Sequence, residues 1–267
     1  MPVNYYNPRQ NGLTRWFTAE YSQWFDLYLP ALSAGKGPVP LGWTSNHFPT
    51  VLLQRLGGWD AFNVAEDADI GVRLHRAGYR TVVADSTTWE EATSQVPNWV
   101  RQRSRWIKGY AQTWLVHMRQ PARLYRELGP AGFLSFQMTV GGTVFMLLVN
   151  PIFWLLTLTW HLSHWGQIES FFPTPVYFAA SITFFVGNAA FVYAAMLGAA
   201  RRGYVDLVRW LLLLPVYWVL MSWAAWKGCL QLVYRPFYWD KTEHGHADVG
   251  GLEGPVGAAM AVAGRAR

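Results

Sequence analysis

The sequence predicts a water-facing α/β segment over residues 1–128, an α-helical membrane region of about three spans over 129–234, and a polar tail over 235–267. Three observations predict it. Only 14% of the 267 residues are charged and 52% are hydrophobic, against roughly 25% charged in ordinary soluble domains. The deficit is concentrated: Phe133 to Trp160, Ser170 to Ala200 and Trp210 to Trp226 contain no Asp, Glu, Lys or Arg. Residues 1–128, by contrast, alternate helical apolar spacing with short runs bounded by Gly and Pro.

Taken in order, "LTRWFTAEYSQWFDLYLPAL" sets Leu13, Trp16, Phe17, Tyr21, Trp24, Phe25 and Tyr28 at helical spacing. The resulting amphipathic helix either faces a core or lies on a bilayer. "GPVPLGW" is a short strand framed by Pro and Gly. "TVLLQRL" is a short helix ended by Gly57-Gly58. In "EDADIGVRLHRAG", acidic residues crowd the first turn, where the macrodipole favours them, and Gly78 stands as a C′ residue. "YRTVVAD" is a buried strand. "VPNWVRQRSRWIKGYAQTWLVHM" is a helix with Pro97 near its start. "QPARLYREL" leads into the first span as an interfacial segment.

A bilayer core needs about 20 apolar residues per helix. Spans at about 133–160 and 173–198 meet that length. The third, about 207–230, reaches it with its flanks, where Arg209 and Lys227 can snorkel; it also holds Pro215, and the alternative is that part of it is interfacial or broken. The connection "HLSHWGQIES" carries no Lys or Arg, and the next holds Arg201 and Arg202. The positive-inside rule then puts the N-terminal part in the cytoplasm of an integral membrane protein of the cell or plasma membrane. Two cues disagree for the tail. Three spans place it outside, whereas Arg235 and Lys241 argue for inside. The tail is expected to be loose after Gly245. "MPVNYYNPRQ" has no signal-peptide h-region, and the single Cys229 excludes an intramolecular disulfide or a cysteine-based zinc cluster. The net charge of +6 suits anionic lipid or phosphate.

Three constellations carry chemistry. In "AEDAD", Asp67 and Asp69 are spaced as a metal-holding D-x-D; alternatively Asp67 is a single catalytic base at a helix start, or the carboxylates simply cap the helix. In "QRSRW", Gln102 shares a helix face with Arg105 and Trp106. That face offers an amide for a hydroxyl, a guanidinium for a phosphate and an indole for a sugar ring. Arg101, Arg103 and Lys108 have a plainer reading as a lipid anchor. No nucleic-acid module accompanies them, so no nucleic-acid partner is expected. In "PLGWTSNHF", Thr44 and Ser45 either line a sugar site or form a polar turn.

In this order, "GWTSNHF", "GGWDAFNVAEDADIGVRLHRAGYR" and "QRSRWIKG" before spans resemble the C-terminal half of membrane-integrated family 2 glycosyltransferases of the cellulose-synthase-like and hyaluronan-synthase-like kind. The resemblance covers roughly residues 10–245, including "RPFYWDKTEHG". It implies a partial, acceptor-side GT-A fold for the α/β segment. It implies inverting transfer of a sugar from a nucleotide diphosphate donor, usually UDP, to a growing glycan. Asp67 would be the general base, with Glu66 beside it. Gln102, Arg105 and Trp106 would sit between acceptor and donor diphosphate, and Thr44 and Ser45 would line the acceptor site. The complete enzyme is expected to use a divalent cation, Mg or Mn, whose ligands are not in this chain. Ala65 replaces the usual Thr, and Trp43 stands where Gly is common. The resemblance also leaves a gap. No strand followed by a helix is expected before residue 40, so the donor-binding half is expected from elsewhere, as a further segment or a partner subunit. The alternative function is a non-catalytic membrane partner or channel subunit of a glycan synthesis or export complex.

Overall fold

The computed structural model describes residues 2–42, 44–163, 166, 173–248, 252–255 and 257–258. Trp43, most of the connection between the first two spans and the end of the tail lie outside the described residues. The described chain is mostly helical.

β1 (Val3–Tyr5) leads to α1 (Gly12–Gln23). Asn11 caps α1 reciprocally: its side chain accepts from the Thr14 N–H, and Thr14 Oγ1 accepts from the Asn11 N–H, both at 3.0 Å. A π-helical turn, Trp24–Tyr28, carries the helix on into α2 (Leu29–Ala34). α1 faces the core rather than lipid, burying Leu13, Phe17 and Tyr21. Next come α3 (Thr50–Arg55), α4 (Glu66–Arg76) and β2 (Thr88–Glu90). Gly57, Gly58 and Gly78 end α3 and α4 at φ of 77°, 70° and 82°, which only glycine adopts without cost. α5 (Val96–His117) is the axis of the molecule.

Three expectations fail here. Pro38–Gly42 and Tyr79–Asp85 form no strand. Their β-branched residues have no ladder partner, and Val82 is exposed. β1 was not expected, because three residues are too short to show an alternation. It pairs in parallel with β2, Val3 opposite Thr88, in a two-stranded sheet. Among the described residues the α/β character is therefore present only as this pair, beside α1. The tail is not uniformly loose either: the Glu253 N–H donates to the Tyr6 carbonyl at 2.6 Å.

Three helical stretches are long and apolar enough to cross a membrane: Pro121–Trp160, Thr174–Arg201 and Val205–Tyr234. The first comprises α6 (Pro121–Phe136), a π-helical turn and α7 (Thr143–Ser163). α6 breaks at Gly129, φ 70°, just before Pro130. Proline cannot donate to the preceding turn, so a short basic helix carrying Arg123 and Arg126 meets the span at a joint. The second comprises α8 (Thr174–Ile182), a π-helical turn and α9 (Asn188–Arg201). The third is a 3-10 stretch, Val205–Leu213, and α10 (Leu214–Tyr234).

Candidate active site

The site forms where α4 begins beneath α5. The two helices touch at Gly109. A Cβ there would lie 2.2 Å from that of Ala65, the residue preceding α4, so only glycine lets them meet. Side chains of α5 hold the approach to α4. Asn63 Nδ2 donates to Thr113 Oγ1 at 2.8 Å, and the Val64 N–H donates to Gln112 Oε1 at 3.1 Å. Ala65 itself makes no side-chain cap; its N–H is taken by Asn63 Oδ1 at 2.9 Å.

The two aspartates of "AEDAD" point to different jobs. Asp69 is buried. It accepts from Arg73 Nε at 2.7 Å and from His117 Nε2 at 2.9 Å. Arg76 Nη1 donates to the other nitrogen of His117 at 2.7 Å and pairs with Glu127. A guanidinium can only donate, so the His117 proton sits on Nε2, toward Asp69. Burial alone would raise Asp69, but the His117 and Arg73 contacts outweigh it and hold it below the ordinary carboxylate range. The chain from Asp69 through His117 and Arg76 to Glu127 fastens α4, α5 and α6 together. Asp67 is only half-buried and is hydrogen-bonded to the Ala68 N–H at 2.8 Å. Burial pushes it up to about 7, with Glu66 adding to the rise and Arg105 opposing it. Asp67 and Asp69 therefore do not act as a D-x-D pair. Among the described residues no cluster of three or more His, Cys, Asp or Glu could hold a metal ion. The donors present do not fit a divalent cation.

Arg105 lies close enough to Glu66, Asp67 and Asp240 for all three to favour its charged form, against burial, which lowers its pKa. Its guanidinium stacks 4.2 Å from the centroid of Trp239, and Nη2 reaches Thr242 Oγ1 at 3.5 Å. Its Nε is buried without a partner among the described residues. Gln102 is buried, its Oε1 accepting from Thr93 Oγ1 at 3.1 Å. Trp106 packs toward Phe17 and Tyr21, at 6.2 and 6.3 Å. Ser45 Oγ lies 2.5 Å from Thr88 Oγ1 on β2, and Ser45 takes a φ of 56°. The Thr44 hydroxyl is buried without a partner among the described residues. The structure thus joins Asp67, Glu66 and Arg105 at one crossing. It sets Gln102 and Trp106 along the same helix and ties Ser45 to the sheet.

The anchor reading fails for Arg103 and Lys108. Arg103 is buried, held by Glu20 through both carboxylate oxygens and by Tyr217 Oη at 3.0 Å. Its guanidinium lies among Phe17, Trp99 and Trp106 at 4.5, 5.5 and 4.9 Å. Lys108 is buried too. Its Nζ donates to the Tyr238 and Arg235 carbonyls at 2.7 and 3.3 Å, and burial lowers its pKa. Arg101 pairs with Glu243 at 2.9 Å.

The partners of Lys108 and Arg101 belong to residues 235–246, a strap that returns over α5 and that sequence reasoning assigned no role. Asn98 grips Glu243 through both its backbone groups, at 2.6 and 2.9 Å. Gln112 Nε2 donates to the Pro236 carbonyl at 3.0 Å. Glu91 accepts from the N–H groups of Gly245 and His246 at 2.6 and 2.7 Å. The signal was available: "RPFYWDKTEHGH", dense in aromatic and charged residues, directly follows a long apolar helix.

Residues 1–238 match the sequence pattern of the glycosyl transferase family group 2. The chain belongs to that family. It is similar to the beta-monoglucosyldiacylglycerol synthase of Synechocystis sp. (strain ATCC 27184 / PCC 6803 / Kazusa), 26% identical over 218 residues, which are 75% of this chain and 41% of that protein. It is also similar to the probable glycosyltransferase YdaM of Bacillus subtilis (strain 168), 32% identical over 77 residues, 28% of this chain and 18% of that protein. The chain thus spans less than half the length of these curated relatives. No solved structure matches it.

Proposed function

We propose that this chain is the acceptor-side and membrane portion of an inverting glycosyltransferase. It would move a sugar from a nucleotide diphosphate donor, UDP for preference, to a hydroxyl of a glycan or glycolipid acceptor at the membrane. The observation that carries this is Asp67. Its carboxyl is tuned to about 7 at the open start of α4, facing Arg105 across the glycine crossing. A general base is most effective when its pKa lies near the working pH. Asp67 takes the proton of the acceptor hydroxyl. That oxygen bonds to the anomeric carbon, the bond from this carbon to the diphosphate oxygen breaks, and its electron pair leaves with the diphosphate. Arg105 supplies fixed positive charge for the departing group. Gln102 and Trp106 position the acceptor sugar, Glu66 keeps the Asp67 pKa high, and Thr44 and Ser45 line the approach. A complete family 2 enzyme would add a divalent cation; no step here runs through it. The name of the Synechocystis relative supports a diacylglycerol-linked acceptor as one to assay.

The test is sugar transfer in membranes containing the polypeptide that carries this sequence. Asp67→Asn should reduce kcat about 10²–10⁴-fold and leave nucleotide-sugar binding intact. In the parent, kcat/KM should rise with pH through about 7, as Asp67 loses its proton. A parental profile that is flat from pH 5 to 8, or an Asp67→Asn variant at full rate, rejects the assignment.

A second reading rests on the sheet. Two three-residue strands are the whole of it among the described residues, and a donor site needs more. The chain would then be a non-catalytic membrane partner of a glycan synthesis or export complex. Sugar-nucleotide turnover by the purified chain alone would reject this reading.

A further inference from the structure

The third apolar stretch differs from the other two in what covers it. Of its most apolar window 33% is buried, against 17% for each of the others. The buried residues of α10 run from end to end: Leu214, Tyr217, Ser222, Ala224, Ala225, Gly228 and Gln231. Their spacing is one continuous helical stripe. Among the described residues α7 has only Val144 buried, at its start, and α9 only Ala195, Gly198 and Ala199, near its end.

The stripe of α10 lies on α5. Near one end, the Tyr217 ring sits 5.1 Å from Trp99 and its hydroxyl donates to Glu20 at 2.6 Å. Further along, a Cβ on Gly228 would lie 2.4 Å from the Ser104 carbonyl oxygen. At the other end the chain passes into the strap, where Lys108 and Gln112 hold its carbonyls. Both ends of α10 thus rest on α5. α5 carries Arg101, Arg103, Arg105 and Lys108, a load that is rare and costly in a lipid-crossing helix.

The chain leaves this body and comes back once before α10 begins. α7 starts against it, with the Leu148 carbonyl accepting from Trp226 Nε1 at 3.2 Å. α9 ends against it: a Cβ on Gly198 would meet the Gln23 nitrogen at 2.6 Å. Just beyond, Arg202 donates to Asp26 at 2.5 and 2.6 Å and to the Val3 carbonyl at 2.6 Å.

We propose that α10 lies in the plane of the membrane surface, its outer face seated on the boundary between lipid headgroups and acyl chains. The bilayer is then crossed only twice, by α7 and by α8–α9. The outer face fits that place. Val216, Val219, Trp223, Trp226, Leu230 and Val233 are exposed along it, with exposed Arg209 before it and Arg235 after it. Tryptophan favours this boundary, and both arginines reach phosphates of one leaflet. This topology removes the conflict over the tail. Arg235 and Lys241 stay on the side of the candidate site, as their charge requires.

The test uses single-cysteine variants in a Cys229→Ser background, in liposomes of phosphatidylglycerol and phosphatidylethanolamine. Nitroxide labels go on Val216→Cys, Trp223→Cys, Leu230→Cys and Val233→Cys, with Leu155→Cys on α7 as a deep reference. Paramagnetic relaxation then reads depth. All four are expected at one shallow depth, above the reference. A crossing helix would spread Val216 and Val233 over roughly 25 Å, and that spread overturns the proposal. So do labels shielded from both oxygen and aqueous relaxant, which would mean a protein partner covers the face. Independently, an impermeant maleimide should reach Arg80→Cys and Lys241→Cys from the same side of sealed membrane vesicles. Labelling from opposite sides refutes the two-crossing topology.

Discussion

The two sides of α5 are built alike and work differently. On one side α4 crosses at Gly109; on the other α10 crosses at Gly228. Each crossing is closed by glycine and has an arginine and a carboxylate nearby. On the α10 side, both Nη nitrogens of the buried Arg103 are held by Glu20 and Tyr217, and its guanidinium lies against aromatic rings. On the α4 side, Arg105 stacks on Trp239 and reaches the Thr242 hydroxyl at 3.5 Å, and Asp67 is only half-buried with a raised pKa. One arginine of α5 is tied into a buried ion pair; the other, on the function proposed above, faces the reacting groups.

The sharpest way to break this contrast is to truncate the two arginines in parallel. Arg105→Met should lower sugar transfer about 10²–10³-fold, as loss of a fixed donor to a developing anion does, with the thermal midpoint in detergent nearly unchanged. Arg103→Met should instead destabilise the fold by about 3 kcal/mol, because Glu20 loses its ion pair and keeps only the Tyr217 hydroxyl as a donor. If Arg103→Met unfolds no earlier than the parent, the two sides are not distinct in the way described. The glycines come next. Gly109→Ala and Gly228→Ala should each cost about 1–3 kcal/mol by overpacking, read as earlier thermal unfolding. Only Gly109→Ala should also change the pH profile of transfer, since it moves Ala65 and with it Asp67.

Protonation gives the contrast a sign. The folded-state pKa of Asp67 lies above its ordinary value of 3.8. The folded state therefore binds more protons between about pH 4 and 7, and stability falls as pH rises through that window. Asp67→Asn should flatten this slope while abolishing transfer. Asp69 runs the other way. Its folded pKa is depressed, so its contribution is present above the ordinary carboxylate pKa and is lost as pH falls toward the depressed value. The smallest effect belongs to the strap. Asn98→Ala should cost about 1 kcal/mol, seen as faster amide exchange in residues 240–246 with α5 unchanged.

The helices around the site were legible because their ends carry local chemistry. Glu66, Asp67 and Gly78 mark α4, and Pro97 marks α5. Asp67 and Arg105 were singled out by their motifs, and the meeting of α4 and α5 brings their charges close. The jobs of Arg103 and Lys108 were not, because a helix face has no meaning until its cover is known. α5 is wrapped by α4, α10 and the strap, so its basic residues point into protein. The strands were misjudged for a related reason. "TVV" has the composition of a strand, but a ladder needs a neighbour. β1 gained one eighty-five residues further along the chain, at β2. Hydropathy, which sums over a helix, left α10 open between a span and an interfacial segment. Its stripe of Ala224, Ala225 and Gly228 shows only beside α5.

The grip of Asn98 on Glu243 touches main chain alone. What it reads is a distance along the polypeptide, not an amino-acid type. The chain between the end of α10 and Glu243 therefore behaves as a measured length. Over evolutionary time residues within it can be exchanged at little cost, whereas one inserted or deleted residue would slide Trp239 off Arg105 and Glu91 off Gly245 at once. Relatives that keep this arrangement should differ here by substitution and almost never by length.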